Sequence, residues 1–407
     1  MLTEPIPPLR RRLVVPRFRL GPTTAVVLAF FYQVAASGQT HSGFPIDIRF
    51  GPAPQPVAAN GRTYLLYELQ LTNFASLPIE VTRIEIMADA KALASYNGQM
   101  LEKMVIPVEK LSSAGSLADI KGSRVIGEGH TAMIFIDLAL DAATDVPREL
   151  HHRLSFSVAR TGKPNYETAL DGPPLTVVAP ATPILQPPLR GAGWVAFNAL
   201  DSEDHRRSLN AVDGRERIPQ RFAIDWMRLG PEGALVHDDK NLNADYYGYG
   251  AEVLAVANGR ISQIKDGLPD NVGITERGAR SVTLETVFGN YIVLDLGNWR
   301  FAAYGHLQPG SLKFKAGDHV TAGQVLARVG NSGNSDAPHL HFQVMDRDSP
   351  LAAEGIPYEL ETFTQLGAAR NDPDMLSNGS VLLPKSQQKG VLHHREFPVD
   401  HAVVSFP

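Results

Sequence analysis

Short runs of alternating apolar and polar residues, cut by glycine and proline at nearly every gap, constrain this chain more than any other feature. A side chain on the same face at every second residue is the period of a β-strand. Runs this short, with turn residues between them, predict antiparallel strands with one buried face. Tyr64 to Thr72 (YLLYELQLT), Ile79 to Met87 (IEVTRIEIM) and Thr131 to Leu138 (TAMIFIDL) show it in the N-terminal part. Further strands are predicted at 222–227, 252–257, 260–264, 281–286, 291–296, 300–304, 319–320, 324–329 and 339–344. The expected fold class is all-β. At 407 residues the chain exceeds one ordinary core, because domains usually hold roughly 100 to 200 residues. The turn spacing predicts an immunoglobulin-like β-sandwich at 38–179, followed by a proline-rich linker at 180–190. A second domain at 191–365 is expected to line a groove with antiparallel strands. Residues 366–407 form a tail whose turn signals, Asn371-Asp372-Pro373-Asp374 and Asn378-Gly379, leave its course open.

Composition narrows the function. A formal charge of -5 is not that of a nucleic-acid binder, which needs a basic excess on one face. There is no cysteine, so a metal would be held by His, Asp and Glu, a donor set that suits zinc. At the N-terminus, Arg10, Arg11, Arg12, Arg17 and Arg19 precede an apolar run from Thr24 to Val34 and the small residues Ala35, Ala36 and Ser37. This predicts an export signal at 1–37 and a periplasmic or extracellular location. The apolar run is shorter than the ~20 residues of a membrane span, and no other segment is expected to cross a bilayer. The sandwich carries no catalytic constellation. Its His151 and His152 point to opposite faces of a strand and are expected to be solvated, and the region is expected to serve targeting, spacing or docking of a protein partner.

The sharpest local signal is Pro338-His339-Leu340-His341-Phe342-Gln343-Val344. Histidines at i and i+2 of a strand share a face, and two buried rings need partners for four nitrogens. Alone, the pair leaves a metal or catalytic site and a structural pair both open. Its surroundings extend the signal: Gly317 to Leu326 (GDHVTAGQVL), Val329 to Ser335 (VGNSGNS), Tyr304-Gly305-His306-Leu307, Gly250 to Ile261 (GAEVLAVANGRI) and Ala223-Ile224-Asp225-Trp226. Together these motifs, between Gly191 and Phe363, resemble the lysostaphin-type zinc metallopeptidases. The resemblance implies one zinc ion per chain, with Asp225 and His341 among its ligands. It implies that His306 and His339 stand beside the metal and act on water and the developing oxyanion. It further implies hydrolysis of peptidoglycan stem or cross-bridge peptides.

One position departs from the family pattern. The usual first ligand is a histidine four residues before the aspartate, and that position holds Arg221, which cannot give up its proton to coordinate a metal. Three alternatives stay open: His205 supplies the third nitrogen, His237 does, or the domain is a zinc-free module that binds the wall or regulates another hydrolase. An exported peptidase acting on glycine-rich proteins is a further alternative. Arg221 is expected to meet a substrate carboxylate or Asp225. Gly317, Gly323, Gly330 and Gly333 read as turn positions with positive φ. Asp295 reads as a strand residue with a local hydrogen bond, and His393 and His394 as solvated tail.

Overall fold

The strand pattern of the sequence is realised almost throughout. The computed structural model describes residues 43–108, 120–141, 143–200, 202–230, 233–273, 282–369 and 390–407. The expected export signal at 1–37 lies outside the described residues.

Two antiparallel sheets come first. In one, Arg62–Asn73 lies between Ile46–Phe50 and Thr131–Asp141, with Val105–Pro107 beyond and Pro56–Ala59 also paired to Arg62–Asn73. In the other, the order is Tyr166–Asp171, Glu149–Val158, Ile79–Ala88 and Lys91–Asn97. Leu65, Tyr67, Leu69 and Leu71 meet Ile79, Val81, Ile84 and Phe156 in one apolar cluster, as the alternation predicts. Each such side chain contributes ~1.5–3 kcal/mol when fully buried.

The expectation of a single buried face fails for Arg62–Asn73. Its other face is buried too: Leu66 joins the cluster of Trp226 and Phe342, and Glu68 is 1% exposed. The first sheet is thus sealed on both sides, by the second sheet and by the C-terminal half of the chain.

His152 corrects a second expectation. His151 and His152 do point to opposite faces, and His151 is half exposed beside Glu149. His152, however, is buried and hydrogen-bonded through Nε2 to the Tyr67 hydroxyl at 2.8 Å. Burial, reinforced by neighbouring His151, pushes its imidazole down to about 4. The unfolded chain protonates near pH 6.5 and the folded one only near 4. The associated stability is therefore present above pH 6.5 and lost as pH falls toward 4, by about 3 kcal/mol in all. Urea unfolding at pH 7 and pH 4 should show this loss, and His152→Phe should reduce it.

The C-terminal half is organised by an eleven-stranded sheet. Its order is Ile184–Leu185, Glu359–Ala368, Ala402–Phe406, Gly191–Phe197, Ile224–Arg228, Leu340–Met345, Arg300–Gly305, Tyr291–Gly297, Gly259–Lys265 and His319–Val320. Val391–Glu396 pairs beside Glu359–Ala368. Part of the proline-rich stretch therefore runs as a strand parallel to 359–368. The described part of the tail is woven into the sheet, with Ala402–Phe406 between two strands. His393 is accordingly not solvated: it stacks on Phe363 with centroids 4.8 Å apart and bonds Glu396 at 2.9 Å. The segment expected as a strand at 281–286 differs as well. Among its described residues, Thr286 N and Val287 N both donate to Thr283 O, and Thr286 Oγ1 accepts from Thr283 N, so local side-chain bonding closes a turn there. Asp295 makes its local bond, from Gly297 N at 2.9 Å.

Alternation across this sheet separates core from site. Ile224, Trp226, Leu340, Phe342 and Val344 enter the core together with Tyr304. Asp225, His341 and Gln343 necessarily face the other way.

Candidate metal centre

Three adjacent strands bring the chemistry together. Asp225 is registered opposite His341, and His341 opposite Gly305 on the next strand. His306 follows directly, held with φ of 58°, a left-handed conformation that non-glycine residues rarely adopt. This turn carries its ring back over the site. His339 precedes its strand, bridged to Gly330. His205 arrives from elsewhere, on the short helix Glu203–Arg206 capped by Ser202, whose hydroxyl accepts from Asp204 N.

The Asp225 carboxylate is the centre. Its Oδ1 lies 2.8 Å from His341 Nδ1 and 3.4 Å from His339 Nε2; its Oδ2 lies 3.1 Å from His205 Nε2 and accepts from Asn198 Nδ2 at 2.8 Å. The far nitrogen of each ring is committed. His205 Nδ1 donates to Ala223 O at 3.2 Å, His339 Nδ1 to Ala337 O at 2.7 Å, and His306 Nδ1 to Ser332 O at 2.7 Å. His341 Nε2 donates to Gln343 Oε1 at 2.9 Å, and the Gln343 amide is oriented by its own donation to Pro350 O.

These acceptors fix the tautomers. A carbonyl oxygen, of the backbone or of the Gln343 amide, can only accept, so the outer nitrogen of each ring carries a proton and the neutral form of each ring turns a lone pair inward. A lone pair of His341 Nδ1 facing a carboxylate oxygen at 2.8 Å requires a cation, a proton or a metal, between them. The atoms of His205, Asp225 and His341 lie within 4.8 Å of one another, as do those of His306, His339 and His341. Only the first set contains a negative charge to offset a dication. Two nitrogens and one oxygen, with every outer nitrogen supported, fit a zinc ion.

The electrostatics agree. Burial opposes the charge of Asp225, but His205, His339 and His341 outweigh it and hold the carboxyl well below its usual range. Burial also opposes charge on His205 and His339, and Asp225 outweighs it, raising both. For His306 burial, then the nearby His339 and His341, push the ring well below the ordinary imidazole range, so it is neutral at pH 7. His341 is lowered by burial despite Asp225. Phe288 covers the site, edge-on to His341 with centroids 5.2 Å apart.

The five residues singled out from the sequence, Asp225, His205, His306, His339 and His341, thus converge. His237 does not; it is half exposed and 3.6 Å from Asp245. Arg221 reaches neither Asp225 nor an open surface: it is buried, giving Nε and Nη2 to Glu68 at 3.1 and 2.8 Å and Nη1 to Glu354 at 3.0 Å. Gly330 also differs from expectation. It lacks positive φ, and a Cβ there would stand 2.3 Å from Gln308 N, so close backbone approach is what requires glycine. Sequence reasoning missed Asn198 and Gln343. Gln343 was within reach, two residues past His341 and so on the same face.

Residues 244–353 match Peptidase family M23, a span that holds His306, His339 and His341 but neither Asp225 nor His205. The chain carries a Peptidase family M23 domain over these residues. It is 31% identical to endolysin 2638A of Staphylococcus phage 2638A over 27% of this chain and 27% of that protein. It is 37% identical to the peptidoglycan DD-endopeptidase ShyA of Vibrio cholerae over 16% of this chain and 15% of that protein. The chain thus spans about a quarter or less of these relatives' lengths. Among solved structures, the catalytic domain of lysostaphin from Staphylococcus simulans is 25% identical, covering 30% of this chain and 84% of that one, with a TM-score of 0.20. A zinc containing peptidase from Vibrio cholerae is 14% identical, covering 76% and 85%, with a TM-score of 0.21.

Proposed function

We propose that this chain is an exported zinc metalloendopeptidase that hydrolyses peptide bonds of peptidoglycan stem or cross-bridge peptides. The observation that carries it is the convergence of His205, Asp225 and His341 with both outer imidazole nitrogens already committed. These three would hold the ion, one per chain. Zinc there supplies a Lewis acid and makes water a nucleophile at neutral pH. His306, kept neutral, accepts a proton from the attacking water through Nε2 and returns it to the leaving amine as the C–N bond breaks. His339, anchored through Nδ1 on Ala337 and favoured in its charged form by Asp225, donates from the protonated Nε2 to the oxygen of the tetrahedral intermediate. The substrate class follows the relatives' names. Residues 38–179 are proposed as an immunoglobulin-like accessory module for a protein partner, with 1–37 the export signal.

The test is digestion of purified peptidoglycan by the full chain. New amino termini should accumulate with the unmodified protein, and not with His341→Ala or after chelation. Absence of any cleavage with zinc supplied would favour a wall-binding or regulatory module instead.

A further inference from the structure

We propose that Glu68, on the N-terminal sheet, is a positioning residue for His205, so that the donor set around Asp225 is complete only while that sheet is seated against residues 202–221. This rests on the zinc assignment above. Glu68 touches neither the candidate metal donors nor a substrate path; it acts through two arginines.

The helix that carries His205 has four residues. One isolated turn does not persist in water, because its nucleation cost is not repaid. Its position must therefore come from its contacts, and those lead to the N-terminal sheet. Arg206, 3% exposed, donates to the Asp137 carboxylate and to Ile136 O at 3.1 Å, and its Nη2 stands 3.9 Å from Glu68 Oε1. Arg207 donates to Lys103 O at 2.8 Å. Both guanidinium groups lie over Phe135, the cross-strand partner of Glu68. Leu209 and Ile218 pack on Ile106, Met133 and Phe135 of the same sheet face.

Glu68 also holds the second point that defines the His205 ring. Its two oxygens take Arg221 bidentately, and two residues on, Ala223 O receives the proton of His205 Nδ1. One buried carboxylate thus faces both the helix under His205 and the segment that fixes its tautomer. The departure at position 221 acquires a physical meaning: an arginine there clamps the sheet, and the sheet places a histidine from another segment.

The experiment measures zinc affinity by chelator competition in the full chain, for the unmodified protein, Glu68→Gln, His205→Ala and the double variant. Glu68→Gln keeps shape and an acceptor while removing the charge. It should weaken zinc binding about 10- to 100-fold and add nothing once His205 is gone. A metal-free readout accompanies it: nitrogen NMR of the His205 ring, at a pH alkaline enough for the ring to be neutral, should show the single Nδ1–H tautomer in the unmodified chain and a mixture in Glu68→Gln. Unchanged affinity, or an equal loss in both backgrounds with the tautomer intact, overturns the proposal. If the unmodified chain takes no zinc, the zinc assignment falls, and the tautomer alone decides the positioning role. Should Glu68→Gln not fold, Arg206→Lys, which keeps charge but loses the fork, is read in the same way.

Discussion

Glu68→Ala is expected to destabilise the chain by about 3–5 kcal/mol, the cost of leaving one partner of a buried ion pair uncompensated. Glu68 is 1% exposed and Arg221 5%. Burial opposes the charge of Arg221, and the carboxylates of Glu68 and then Glu354 outweigh it; a guanidinium does not give up its proton even when unpaired, so removing Glu68 leaves a buried charge. Replacing both residues by methionine should recover most of the loss, because a buried pair contributes little beyond what well-packed apolar groups supply. Glu354 also pairs with Arg217 at 3.3 Å, so it is not left without a cation when Arg221 is replaced. Urea unfolding of the metal-free protein measures both quantities. A change within about 0.5 kcal/mol for Glu68→Ala, the range of ordinary surface substitutions, would contradict this account of the seam.

The second large effect is kinetic. His306→Ala and His339→Ala should each lower the rate of peptide hydrolysis roughly 10²- to 10⁴-fold, the usual contribution of a positioned proton-transfer group, while retaining zinc. His341→Ala should lose metal and rate together. Metal content and turnover measured on the same preparations separate the two kinds of residue. Loss of zinc from His306→Ala would instead implicate the other histidine set, His306, His339 and His341, as the ion's ligands.

Local sequence carries local structure, and the site shows where that stops. His339 and His341 are legible because period-two geometry makes them share a face, and Gln343 extends the same row. The alternation in Tyr64 to Thr72 correctly sorts Leu65, Tyr67, Leu69 and Leu71 into the core. It also places Glu68 on the opposite face, where a glutamate would ordinarily meet water. Its partner Arg221 lies 153 residues away, and only docking of the two halves buries the pair. The same docking separates His205 from His237. Both could replace the ligand missing at 221, and what favours His205 is the grip of Arg206 and Arg207 on a distant sheet. The strands 391–396 and 402–406 carry weak patterns because they are completed by neighbours already in place. Asn198 has no sequence signature at all; its bond to Asp225 arises from a positive-φ turn after a strand.

The most direct test of the central claim is elemental analysis of zinc in the purified chain and in His205→Ala. About one zinc per chain, falling sharply in the variant, is the predicted result and would establish His205 as the ligand that stands in for the residue at 221. No zinc in the unmodified chain after reconstitution, or a full complement in His205→Ala, would contradict it.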